Sequence, residues 1–263
     1  MKSRLSLLIL LLALSPAAIP SGHHGDKGER DFKIYDNMFY QGKPNTAGQG
    51  MVVSNILYEA LIWPHDKNYG KLPKQSDFEA LVRSHSANPG PVVLDIERLP
   101  LKGSEQVVHE HMEVLATLAV WAHHAAPGKI IGYYGTGTLS RIEPANLRFA
   151  RELAKHVDAF FPPAYTFDDD RETWEKRARS SVEEARALGP GKPVYLYMWP
   201  QYHDHTPKQF EYVNPSYWKF QLETARSISD GIVLWGPSKF KWDDSSGWWS
   251  ATEKFTREMR DRD

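Results

Sequence analysis

Residues Pro91 to Pro100 read PVVLDIERLP. An apolar run that reads as a buried strand, Pro91 to Leu94, leads straight into Asp95 and Glu97, two acids separated by Ile96. In an extended chain side chains alternate faces, so residues i and i+2 project the same way about 6.5–7 Å apart. The spacing therefore sets two carboxylates side by side at the end of an apolar strand. Buried paired acids are costly unless they have partners or a task. The structural alternative is a salt-bridged pair, with Arg98 or a lysine of a neighbouring strand as counter-charge.

Similar runs recur along the chain. β-Branched or aromatic stretches lie at 32–40 (FKIYDNMFY), 54–63 (SNILYEALIW), 90–97 (GPVVLDIE), 129–135 (KIIGYYG), 157–165 (VDAFFPPAY), 192–202 (KPVYLYMWPQY) and 229–236 (SDGIVLWG). Between most of them the pattern is helical. In 105–126, Val108, Met112, Leu115, Ala119 and Ala122 recur at three- and four-residue steps. Further helices are predicted near 75–86, 145–156, 171–188, 215–228 and 248–261. Strands alternating with helices imply parallel strands joined by crossovers. Seven such units in one chain of this size predict an α/β fold, a TIM-like β/α barrel of seven or eight units. No Gly-x-Gly-x-x-Gly follows the first strand, so a dinucleotide-binding sheet lacks its signature. No linker interrupts the pattern, and a single domain is expected over 31–263.

Residues 1–20 carry Lys2 and Arg4, an apolar stretch from Leu5 to Leu14, then small residues at Ala17 and Ala18. This is the layout of a secretory signal peptide, and the apolar stretch is short of the about 20 residues that cross a bilayer. A secreted or periplasmic protein is expected, with no membrane association after cleavage. The polar, Gly-rich 21–30 reads as a flexible leader. The 263 residues include no cysteine, which excludes thiol catalysis, cysteine metal sites and disulfide stabilisation. The formal charge of -1, or -3 without Lys2 and Arg4, gives no basic stripe, and no nucleic-acid partner is expected. Nine tryptophans and twelve tyrosines would suit stacking on sugar rings and would equally serve as core.

In a β/α barrel the functional residues project from the C-terminal strand ends. Asp95 and Glu97 stand at such an end, as do Tyr133 and Tyr134, Tyr165, the group Trp199, Gln201 and Tyr202, and Trp235. Two carboxylates this close repel when both are ionised, so one tends to hold a proton near neutral pH. A protonated acid in a cleft can protonate the departing oxygen of a glycosidic bond. A same-face pair cannot straddle that bond. It suits a substrate-assisted route, in which the substrate's own 2-acetamido oxygen is the nucleophile.

These residues resemble a known family. VVLDIE (92–97) resembles the Asp-x-Glu strand of the hyaluronidases, glycoside hydrolase family 56, whose fold is a seven-unit β/α barrel. In the same order IIGYYG (130–135) is similar to that family's fourth strand, FFPPAY (160–165) to its fifth, KPVYLYMWPQYHD (192–204) to its sixth and DGIVLWG (230–236) to its seventh. The resemblance implies Glu97 as general acid and then base, Asp95 holding the acetamido nitrogen, and Tyr134 and Tyr165 hydrogen-bonding around the reacting sugar. Trp235 would form the wall for the acetamido methyl. The chain reads Arg98-Leu99-Pro100 where family members carry Trp-Arg-Pro, and it has none of the family's cysteines.

The expected function is retaining hydrolysis of poly- or oligosaccharides containing N-acetylhexosamine, without cofactor or metal. Tyr133, Trp199, Gln201, Tyr202 and Trp235 are the expected substrate contacts. Two alternatives stand beside it. In one, Glu97 works with a carboxylate from another strand, such as Asp168 or Asp204; in the other, the barrel binds carbohydrate without turnover. The acidic run 168–170 reads otherwise as a helix N-terminus, where acids complement the dipole. His-x-His spacings occur at 109/111 and 203/205, but the first pair would point about 200° apart on a helix.

Overall fold

The computed structural model describes residues 31–135 and 142–261, so the expected signal peptide and leader lie outside the described residues. Parallel strands form at β1 (Lys33–Met38), β2 (Val52–Val53), β3 (Asn55–Tyr58), β4 (Val92–Asp95), β5 (Ile131–Tyr133), β6 (Tyr195–Met198) and β7 (Gly231–Gly236). The two short strands β2 and β3, interrupted at Ser54, act as one stave: β2 pairs with β1 and β3 with β4. On the far side the segment 158–163 joins β5 to β6 through parallel bridges, Tyr134 with Phe161, Phe160 with Val194 and Pro163 with Tyr197. Pro162 and Pro163 have no N–H to donate, which reduces this stave to isolated bridges. With β6 on β7 and β7 on β1 the ring closes. The fold is a seven-stave β/α barrel.

Around it lie α1 (Glu59–Ile62), α2 (Gln75–Ser84), α3 (Glu105–Ala125), α4 (Leu147–Lys155), α5 (Arg171–Leu188), α6 (Pro215–Ile228) and α7 (Trp248–Arg260). Their starts follow from local chemistry. Ser104 caps α3 by accepting from the Val107 N–H, Asp170 caps α5 by accepting from Thr173, and Asn214 caps α6 ahead of Pro215. Two expected strands are corrected. The run 54–63 leaves the sheet at Tyr58, because Ile62 and Trp63 are buried in the layer between barrel and helices and a short helix turns them there. The run 157–165 keeps its place but lacks a continuous ladder, for the proline reason above.

The two faces of each strand serve two cores. Val92, Leu94, Ile131, Leu196, Ile232 and Leu234 face outward and pack with the helices. Tyr35, Val93, Phe161, Tyr195, Tyr197 and Val233 fill the barrel interior, with Tyr134, Tyr165 and Trp235 packed against them. The inner layer is tyrosine-rich where most small barrels use branched aliphatics, and it needs room. Gly132 provides some: a Cβ there would lie 2.5 Å from the Ala159 carbonyl oxygen and 2.6 Å from the Phe161 ring. Gly132→Ala is expected to destabilise the fold by about 1–3 kcal/mol through overpacking, measured as a shift of the denaturant midpoint.

Candidate active site

Asp95 is the last residue of β4 and shares the inward face with Val93, so its carboxylate enters the barrel at the C-terminal end. Ile96 is buried in the outer layer, and Glu97 stands exposed at the mouth. Asp95 Oδ1 is buried and has no hydrogen-bond partner among the described residues. Its carboxyl is pushed up to about 7, first by burial and then by the negative charges of Glu97 and Glu59. Arg98 is not the counter-charge of this pair. It ion-pairs with Glu59, and with Asp66 at 2.7 Å.

Aromatic rings enclose the acid. Tyr165 stacks on Tyr134 at 6.3 Å and lies 6.0 Å from Trp235; Trp235 meets Trp199 edge-on at 5.0 Å. Burial, the neighbouring Tyr134 and Tyr197, and Asp95 all raise Tyr165, so it remains a neutral phenol. Asp95, Tyr134, Tyr165 and Trp235 are thus brought together, with Glu97 beside them.

Two further tyrosines belong to this wall and were missed from sequence. Tyr58 lies opposite Asp95 in the β3–β4 register, and its hydroxyl accepts from Trp235 Nε1 at 3.5 Å. Tyr197 is buried inside the barrel, edge-on to Tyr134 at 5.1 Å, and its hydroxyl has no hydrogen-bond partner among the described residues. Asp95 raises both, after burial. Strand parity carries the signal for Tyr197, which sits an even step from Tyr195 and Trp199.

Three expected substrate contacts are corrected. Tyr133 faces the helices, where its hydroxyl donates to the Leu115 carbonyl of α3 at 2.7 Å; adjacent residues of a strand cannot both face the cleft. Tyr202 is buried in the outer layer, and its hydroxyl donates to Asp169. Gln201 is buried behind the wall. Its Oε1 accepts from Tyr40 at 2.8 Å and from Trp199 Nε1 at 3.0 Å, and its amide donates to the Phe210 carbonyl. Gln201 fixes Trp199, which is itself 3% exposed and backs Trp235 and Tyr165. The alternative carboxylates are engaged in their own loops. Asp168 accepts the N–H of Asp170 at 3.0 Å; Asp204 Oδ1 lies 2.5 Å from His203 Nδ1 as an ion-pair contact, yet it is buried and has no hydrogen-bond partner among the described residues.

Solved structures share this architecture. Bee venom hyaluronidase is 15% identical, with a TM-score of 0.59 over 88% of this chain and 97% of that one. Bee venom hyaluronidase in complex with a hyaluronic acid tetramer gives 0.60 at 15% identity, over 87% and 96% of the two chains. At this identity the likeness is one of fold. No protein-family model and no curated protein matches the sequence.

The raised Asp95 links stability to pH. Its folded-state value of about 7 lies above the ordinary carboxylate value, so folding favours the protonated acid. Its contribution is greatest below about pH 4, is lost as pH rises towards 7, and is flat above. Asp95→Asn should remove that slope and be more stable than the wild type at pH 8 by on the order of a few kcal/mol, as read by denaturant unfolding at a series of pH values.

Proposed function

We propose that this protein is a glycoside hydrolase acting on glycans that contain N-acetylhexosamine, by a retaining, substrate-assisted route. The observation that carries the reading is Asp95: a buried carboxyl oxygen with no partner among the described residues, at a barrel mouth, beside a second carboxylate and walled by aromatic rings. A buried polar atom without a partner is costly, and an acetamido N–H is a donor of the right kind to meet it. The fold shared with bee venom hyaluronidase is consistent with the reading.

The chemistry follows from the electrostatics. Near neutral pH the pair holds one proton, with burial favouring Asp95. An acetamido N–H arriving at Asp95 favours its ionised form, which leaves the proton on Glu97, at the exposed side where a leaving oxygen can be reached. The acetamido carbonyl oxygen then attacks the anomeric carbon as the glycosidic bond breaks, and Glu97 gives its proton to the departing oxygen. Asp95 stabilises the positive charge that develops on the closing ring. Glu97, now a carboxylate, takes a proton from the water that opens the cyclic intermediate. The Tyr134 and Tyr165 hydroxyls supply hydrogen bonds, Tyr165 as a neutral phenol, and the Trp235 ring gives the acetamido methyl an apolar surface.

Glu97→Gln should lower kcat by at least about a hundredfold while leaving oligosaccharide affinity nearly unchanged, measured by hydrolysis and calorimetry on N-acetylhexosamine oligomers. Asp95→Asn should be similarly impaired, and substrates lacking the acetamido group should not turn over. Wild-type kcat/KM should fall above about pH 7 as the pair loses its shared proton. Efficient cleavage of a substrate without the acetamido group would sink the assisted route.

A further inference from the structure

We propose that Glu59 is the positioning residue of this site: its carboxylate clamps the turn that carries Glu97 and places a third negative charge beside the acid pair. The inference rests on the glycosidase reading for what Glu97 does, though not for how Glu97 is held.

Glu59 opens α1 directly after β3, the strand next to β4. Its Oε2 accepts the backbone N–H of Glu97 at 3.1 Å and of Arg98 at 3.3 Å, and the Tyr69 hydroxyl at 2.8 Å. Its Oε1 takes the Arg98 Nε. Two successive backbone N–H groups therefore converge on one carboxylate, in charge-assisted hydrogen bonds roughly twice as strong as neutral ones. The residues after Asp95 lie beyond the sheet ladder, so this contact defines the direction in which the chain leaves β4 and hence where Glu97 stands. The clamp is itself braced. Arg98 lies 4.0 Å over the Tyr69 ring and donates to Asp66 at 2.7 Å; Trp63 packs on Tyr69 at 4.9 Å and donates to the Lys71 carbonyl at 2.8 Å. The Glu59 side chain is 19% exposed while Arg98 is 47% exposed, so solvent screens the cation more than the anion.

The ionisable groups facing Asp95 come from several elements: Glu97 on its own loop, Glu59 and Tyr58 from the neighbouring strand end, Tyr165 after the fifth stave and Tyr197 on β6. The three tyrosines are held neutral, so Glu97 and Glu59 are the charges that bear on Asp95. Glu59 thus has two separable effects, one on geometry and one on the proton.

Isotope-edited NMR of the Asp95 carboxyl, amide exchange at Glu97 and kinetics on an N-acetylhexosamine oligomer test this. Glu59→Gln keeps the shape but removes the charge. It should lower the Asp95 midpoint by up to about one pH unit, move the alkaline limb of kcat/KM with it, and cost on the order of 10- to 100-fold in kcat with KM little changed. Glu59→Asp keeps the charge but draws it back from the amides. It should leave the Asp95 midpoint near that of the wild type while Glu97 loses amide protection and kcat falls. An Asp95 midpoint and a Glu97 amide both unmoved across the two variants would overturn the proposal. A wild type inactive on every N-acetylhexosamine substrate, with the NMR changes as described, would remove the glycosidase reading and leave Glu59's role standing.

Discussion

A carboxylate inside a β-barrel has lost most of its hydration, and the strand geometry that buries Asp95 also brings Glu97 to the same side. Two acids on one face cannot both ionise without cost in so poorly solvated a place. Much of what surrounds them meets that constraint. The interior is rich in aromatic rings that exclude water, and its tyrosine hydroxyls offer hydrogen bonds without charge. The charged groups that bear on Asp95 are negative and reinforce its hold on a proton.

Irregularities in the barrel support the same arrangement. Pro162 and Pro163 break the fifth stave's ladder just before Tyr165, which joins the aromatic wall. The connection between β1 and β2 contains a short 3-10 turn, Ala47–Gln49, in place of a crossover α-helix. Asp36, 1% exposed, ties that connection down by accepting from Lys43, Thr46 and the Met38 N–H. Removing one partner of such a buried pair leaves an uncompensated charge. Tyr40 leaves the end of this strand and reaches Gln201 and Trp199, so a structural ion pair and the back of the aromatic wall lie on one stretch of chain.

Continuous apolar or aromatic runs and helical patterning were enough to read the barrel, because most of its strands bury both faces and each helix one. Six long helices fall within a few residues of their expected spans, and their caps are local chemistry visible in Ser104, Asp170 and Asn214. The site was readable where parity alone decides, as at Asp95 against Ile96. It was misread where an aromatic residue at a strand end was taken as cleft-facing without counting its step from the interior, as at Tyr133 and Tyr202. Tyr58 and Glu59 could not be read this way. Their roles arise from the pairing of β3 with β4 and from the contacts that the start of α1 makes with the chain after β4, which are long-range facts that no local pattern encodes.

The fate of Arg98 bears on whether the acid pair is a salt bridge or a site. Lying next to Glu97 in sequence, it was the obvious cation to neutralise the two carboxylates. Such neutralisation would have pulled the Asp95 pKa down and made the pair an ordinary structural contact. Glu59 and Asp66 take up the guanidinium instead, and Tyr69 lies beneath it. One carboxylate therefore does two things: it orders the loop through backbone N–H groups and diverts the nearest cation. What remains facing the barrel is an acid whose buried oxygen has no hydrogen-bond partner among the described residues and whose hold on its proton is raised to about pH 7. A structural pair would be stabilised by that arginine, whereas an acid that must exchange a proton is better served by its diversion.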